Sequence, residues 1–160
     1  MAELLSRFPR PGQIEAILLR PARHADPQEV RAADLGPARL TGDHARPGPR
    51  ALTLIQAEHL PVISALVGRE ATARLLRRNL VISGLNLNAL RGASLHLGPT
   101  AEIEITGPCA PCSRMEAALG EGGYNAVRGH GGWCAMVLQP GRLSQGDEVT
   151  VAALPDRSPH

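Results

Sequence analysis

The sequence predicts a mainly β protein, a β-barrel or strongly curved sheet with a few peripheral helices. Three observations carry this. About seven short apolar runs recur at even spacing between turns rich in glycine and proline. Ile103 and Ile105 alternate with Glu102 and Glu104, the period of two that marks a strand with one buried face. Only one long stretch, 56–67, has a helical period, and one shorter helix follows the cysteines.

Taken in order, residues 1–12 hold Pro9-Arg-Pro-Gly12 and read as an irregular lead-in, 13–153 as one domain and 154–160 as a flexible tail. Ile14 to Arg20 is strand-like and Pro21 ends it. Val30, Leu35 and Leu40 punctuate a polar stretch that announces no element. Residues 40–50 form a glycine- and proline-rich loop carrying Asp43, His44, Arg46 and Arg50, which reads as either a functional loop or a solvated one, and not as core. A strand at Ala51 to Ile55 leads into the helix, where Leu60, Ile63, Leu66 and Val67 share a face. Leu80, Val81 and Ile82 form a continuous run typical of a strand buried on both faces, with Arg77, Arg78 and Asn79 at its entrance. Asn86 and Asn88 serve a turn, Ser94 to Leu97 is a strand, and the strand at Ile103 and Ile105 runs into the cysteines. After the glycine-rich bend 128–132, Trp133 to Leu138 and Val149 to Leu154 are strand-like, joined by a tight connection.

Composition removes several functions. Aromatic residues at 2% and a net charge of +2 leave neither stacking platforms nor a broad basic footprint, so nucleic acid is not an expected partner. No apolar run approaches the ~20 residues of a membrane span, and Met1 to Phe8 lacks the pattern of a secretory signal. A cytoplasmic location with no membrane partner is expected. All 17 basic residues are arginine, so no lysine can hold pyridoxal phosphate as a Schiff base.

The spacing Cys109-x-x-Cys112 admits three chemistries. A structural zinc site would need further ligands, for which only His130 and Cys134 lie downstream. A redox pair would suit the order strand, Cys-Ala-Pro-Cys, helix, but the short strands on both sides do not make a thioredoxin fold. The third reading is a lone functional thiolate at Cys112, close to a helix start and to Arg114, with Cys134 a small buried hydrophobe. A thiolate there is both a nucleophile and a soft metal ligand.

The ordered set Arg77-Arg-Asn-Leu-Val-Ile-Ser-Gly-Leu-Asn-Leu-Asn-Ala-Leu-Arg-Gly92, Cys109-Ala-Pro-Cys112, Arg128-Gly-His-Gly-Gly132 and Gly141-Arg-Leu-Ser-Gln-Gly-Asp147 resembles MOSC domains, the family named for the C-terminal domain of molybdenum-cofactor sulfurases. With Gly42-Asp-His and Arg50-Ala-Leu-Thr-Leu-Ile55 upstream, the likeness covers about residues 13–152. It implies a pyruvate-kinase-barrel-like β-barrel and a pocket for the molybdenum cofactor (molybdopterin). Cys112 would be the molybdenum ligand or a persulfide carrier, and Arg77, Arg78 and Asn79, with Arg50 and His130, would hold the cofactor. The implied activity is molybdenum-dependent reduction of N-hydroxylated or related small molecules, with an electron-donor protein as partner. The alternative is a non-catalytic sulfur or cofactor carrier served by a separate pyridoxal-phosphate-dependent cysteine desulfurase. A zinc or Cys-x-x-Cys redox protein is the third.

Overall fold

The computed structural model describes residues 1–110 and 112–155. Seven strands close into a barrel. In chain order these are β1 (Gly12–Leu19), β4 (Leu52–Gln56), β5 (Leu80–Ser83), β6 (Ser94–Leu97), β7 (Ala101–Pro108), β8 (Trp133–Gln139) and β10 (Glu148–Ala153). Around the barrel they run β10, β6, β7, β8, β4, β5, β1, and β1 returns to β10 through Gly12 opposite Val149 and Gln13 opposite Glu148. Closure leaves these strands no open edge to template aggregation. All neighbours are antiparallel except β4 and β5, which pair in parallel. A parallel pair needs a crossover. Here it is α2 (His59–Val67) followed by α3 (Ala73–Leu76).

Side-chain alternation sorts the residues into two cores. Ile14, Ile17, Leu54, Leu80, Ile82, Ile103 and Ile105 fill the barrel interior. Leu18, Ile55 and Val81 face outward and are covered by Ile63, Leu76, Met115 and Leu119. That outer layer comes from α2, α3 and α4 (Ser113–Leu119), with α5 (Gly123–Val127) against α4. Because β5 has apolar residues on both faces, Leu80 to Ile82 reads as an unbroken run; β4 is likewise buried on both faces but carries Thr53 between Leu52 and Leu54, whereas β7 alternates cleanly, its glutamates half-exposed.

Several expectations change. Residues 1–12 are not wholly irregular: α1 (Ala2–Leu5) is one exposed helical turn, and β1 already begins at Gly12. The silent stretch after Pro27 forms β2 (Gln28–Val30), which extends the sheet beyond β1, and β3 (Ala32–Leu35). The connection after Pro140 contains β9 (Gly141–Ser144), which pairs with β3 as a separate two-stranded ribbon. The long helix starts at His59, with Pro61 in its first turn, where a missing N–H removes no internal bond. Of the expected tail, 156–160 lie outside the described residues. Among the described residues, no helix is long and apolar enough to cross a membrane.

Candidate functional site

At one end of the barrel, the exit of β1, the loop 41–50, the α3–β5 junction and the start of α4 converge. The loop 41–50 is not simply solvated. Asp43 is buried, its side chain fully out of solvent, and its carboxylate accepts five hydrogen bonds. Arg20 supplies three: its backbone N–H at 2.7 Å and its Nε at 3.0 Å to Oδ1, and its terminal nitrogen at 2.9 Å to Oδ2. The Ala45 N–H and the Asn79 amide add one each, both at 3.0 Å. Burial pushes the Asp43 carboxyl up, but the hydrogen bonds and charge of Arg20, with the Ala45 amide, outweigh it and hold the group below the ordinary carboxylate value.

Asn79 is fully buried and wholly committed to this frame. Its Oδ1 accepts from the Thr53 N–H and hydroxyl, and its Nδ2 donates to Leu18 O and to Asp43. One amide thus ties β1, β4 and the loop together. Arg77 sits at the end of α3 in the left-handed conformation, φ 57°. Its guanidinium donates to Ala25 O at 2.5 Å and Ala22 O at 3.1 Å, pinning the segment that carries Arg23. Burial, then the charges of Arg20 and Arg114, lower its ordinary pKa, a sign of how many cations crowd this end. Arg78 is buried and donates to Gly131 O at 2.7 Å and Leu76 O at 2.8 Å. Arg77, Arg78 and Asn79 thus all hydrogen-bond to the protein's own groups at this end of the barrel.

What faces solvent beside that scaffold is a cleft of about 580 Å³ lined by Arg23, His44, Ala45, Arg46, Cys112 and Arg114. Cys112 is exposed, in extended conformation at the start of α4. The structure thus brings together Cys112, His44 and Arg46 from the sequence reading. It adds Arg23, and puts the Arg114 that flanks Cys112 in the cleft lining. Behind them it adds Arg20. Arg20 and Arg23 carry no local signal, since Arg20 meets Asp43 across 23 positions of chain.

Arg50 is exposed, and its charge acts on Cys134 rather than within the cleft lining. His130 lies elsewhere in its loop, with its ring in an edge-on contact 5.4 Å from that of His59 and its buried Nδ1 without a hydrogen-bond partner. Trp133 Nε1 donates to Asn88 at 2.9 Å, which gives that turn residue a second task in holding the glycine-rich bend. Burial, then the charge of His130, lower the His59 pKa against a smaller opposing effect of Glu58. Because the folded protein binds that proton less readily than the unfolded chain, stability is expected to be full above the ordinary value of 6.5 and to fall as pH drops below it. Melting temperatures followed from about pH 7 to about pH 5 should fall less in His59→Gln than in the wild type. An equal fall in both proteins would remove His59 as the source.

Cys109 does not turn toward Cys112. Its Sγ lies 3.5 Å from Sγ of Cys134, so Cys134 is more than a buried hydrophobe. Among the described residues, no cluster of three or more histidines, cysteines or carboxylates is arranged to hold a metal ion.

Residues 37–150 match the family model described as the MOSC domain. The chain belongs to the MOSC family. Solved structures agree on the fold of this MOSC domain. It superposes on the YuaD protein from Bacillus subtilis with a TM-score of 0.76 at 17% identity, covering 88% of this chain and 94% of that one. YiiM from Geobacillus stearothermophilus gives 0.74 at 21% identity, with 89% and 75% covered. YiiM from Escherichia coli gives 0.66 at 21% identity, with 88% and 70% covered. No curated protein matches the chain. The MOSC family is associated with molybdenum-cofactor binding and sulfur transfer.

Proposed function

We propose that this MOSC domain binds a molybdenum cofactor with Cys112 as the metal's thiolate ligand, and that it acts in molybdenum-dependent reduction of N-hydroxylated or related small molecules. The observation that carries the reading is the cleft itself, where one exposed thiol stands among Arg23, Arg46 and Arg114 beside His44. The donor set fits the group. A thiolate suits a soft metal. Guanidinium forks pair bidentately with phosphate, the anionic end of the pterin cofactor, and a lysine-free chain must use arginine for this. No carboxylate lines the cleft among the described residues, and the buried charge of Asp43 behind it is neutralised by Arg20.

In this arrangement Cys112 holds the metal, while Arg23, Arg46 and Arg114 hold phosphate. Asp43, Asn79 and Arg77 act as positioning residues, keeping the loop 41–50 and the Arg23 segment in place. When bound, the cofactor would supply the chemistry of oxygen-atom removal from the substrate. The electron donor would be a separate protein.

A second reading, persulfide carriage, is favoured by the exposure of Cys112 at the mouth of an open cleft, where a desulfurase could reach it. Both readings meet in one experiment: molybdenum, zinc and sulfane sulfur measured on wild type and Cys112→Ser produced in a host that makes the cofactor. Stoichiometric molybdenum, lost in the variant, is the expected result. Sulfane sulfur without molybdenum would replace it with the carrier reading, and retention of molybdenum in the variant would overturn the role of Cys112.

A further inference from the structure

Cys109 and Cys134 lie outside the Cys112 cleft, and the proposed function leaves them unused. The sheet determines how they meet. β7 and β8 run antiparallel with Gly107 opposite Cys134 and Pro108 opposite Trp133. One residue further, the Cys109 N–H donates to Gly132 O at 2.9 Å. Cys109 therefore stands opposite Gly132, two positions from Cys134 along the same strand direction, and the two side chains leave one face as diagonal neighbours. Their sulfurs lie 3.5 Å apart, about 1.5 Å beyond the length of a disulfide bond.

The surroundings make the two thiols unlike. The two sulfurs share one hydrogen bond in which either can donate; as its donor, Cys109 has its pKa pushed up by that bond and then by burial. With Cys134, the more buried of the two, as the acceptor, that bond and the guanidinium groups of Arg78, Arg50 and Arg20 outweigh its burial and lower its pKa. Arg78 is fixed there by its bond to Gly131 O in the bend just before β8. A thiolate-prone sulfur beside a protonated one is the arrangement of an attacking and a resolving cysteine.

We propose that Cys109 and Cys134 are a redox couple that closes to an intramolecular disulfide, with a hydroperoxide as the two-electron oxidant. The Cys134 thiolate attacks the terminal OH oxygen of the peroxide, the O–O bond breaks and hydroxide leaves (an alkoxide from an organic hydroperoxide), giving a sulfenic acid on Cys134. The Cys109 sulfur then attacks the Cys134 sulfur, the S–O bond breaks, and the Cys109 proton departs with the hydroxyl as water. For hydrogen peroxide, two thiols and one peroxide give one disulfide and two waters. A small dithiol returns the couple to its reduced form. The bond ties the ends of β7 and β8 where the chain departs for Cys112. It also removes Cys109 as a disulfide partner for Cys112, so oxidation leaves the cleft thiol unpaired.

The test treats the reduced full-length protein with one equivalent of hydrogen peroxide, blocks remaining thiols, digests after arginine without reduction and maps the peptides by mass spectrometry. Peptide 92–114, holding Cys109 and Cys112, should be joined to peptide 129–142, holding Cys134. The link should form in near-stoichiometric yield in wild type and in Cys112→Ser, and be absent in Cys109→Ser, where dimedone should instead trap a sulfenic acid on Cys134. A Cys109–Cys112 bond within peptide 92–114, loss of the cross-link in Cys112→Ser, or full blocking of Cys109 and Cys134 after peroxide would each overturn the proposal.

Discussion

Replacing Asp43 by alanine is expected to lower the folding stability by about 3–5 kcal/mol, the cost of stranding one member of a buried ion pair. The pair spans β1 and the loop 41–50, with 12% of the Arg20 side chain and none of the Asp43 side chain exposed. Without the carboxylate, the Arg20 guanidinium loses its bidentate partner, and the N–H groups of Arg20, Ala45 and Asn79 lose their shared acceptor. At roughly 2–4 °C per kcal/mol for a chain of this size, the melting temperature should fall by about 10 °C. Asp43→Asn keeps the shape but not the charge and should fall between the two. The same group sets an acid limit: its pKa is depressed in the folded state, so its contribution is present above the ordinary value of 3.8 and is lost as pH falls below it toward the folded value. Urea unfolding of wild type and variant at neutral pH checks the first statement, and a difference under about 1 kcal/mol, the size of an exposed pair, would sink it.

This pair also shows where sequence reading stops. Strands with a local signature were legible: Ile103 and Ile105 alternate with glutamate and lie inside the barrel, and Leu80 to Ile82 reads as a run because both faces are covered. β3 and β9 were not. Each is four residues long, and their register, Ala33 opposite Leu143, joins segments about 110 positions apart with no local pattern on either side. The residues of the cleft divide in the same way. Cys112, His44 and Arg46 stand in short motifs that carry chemistry by type. Asn79, by contrast, looks like a ligand-facing amide at a strand entrance and is spent on Thr53, Leu18 and Asp43, partners set only by the closed barrel. The Cys-x-x-Cys spacing likewise invites pairing Cys109 with Cys112, whereas the β7–β8 register gives Cys109 a neighbour 25 positions away.

The glycine-rich bend before β8 gives the second large effect, because its glycines admit the protein's own backbone. Gly132 has φ +97°, and a Cβ there would lie 2.0 Å from Leu54 O, far inside contact distance. That carbonyl belongs to β4, whose Leu54 pairs with Trp133 at the start of β8, so neither strand can retreat without opening the barrel. Gly132→Ala is therefore expected to lose more than about 4 kcal/mol, the range reserved for disrupted cores, and to give little folded protein. Gly129→Ala is the matched control: its φ of +81° is also left-handed, but nothing lies within 4 Å, so only backbone strain of about 1–2 kcal/mol applies. Circular dichroism and thermal melts of the two variants separate close packing from conformational freedom, and equal melting temperatures would show that the β4 contact is dispensable. The contact reaches the thiols as well. The carbonyl of Gly132 accepts the Cys109 N–H, so the residue that lets β8 lie against β4 also fixes where Cys109 meets Cys134. A Gly132 variant that still folds should therefore form the Cys109–Cys134 bond more slowly than the Gly129 control under the same peroxide.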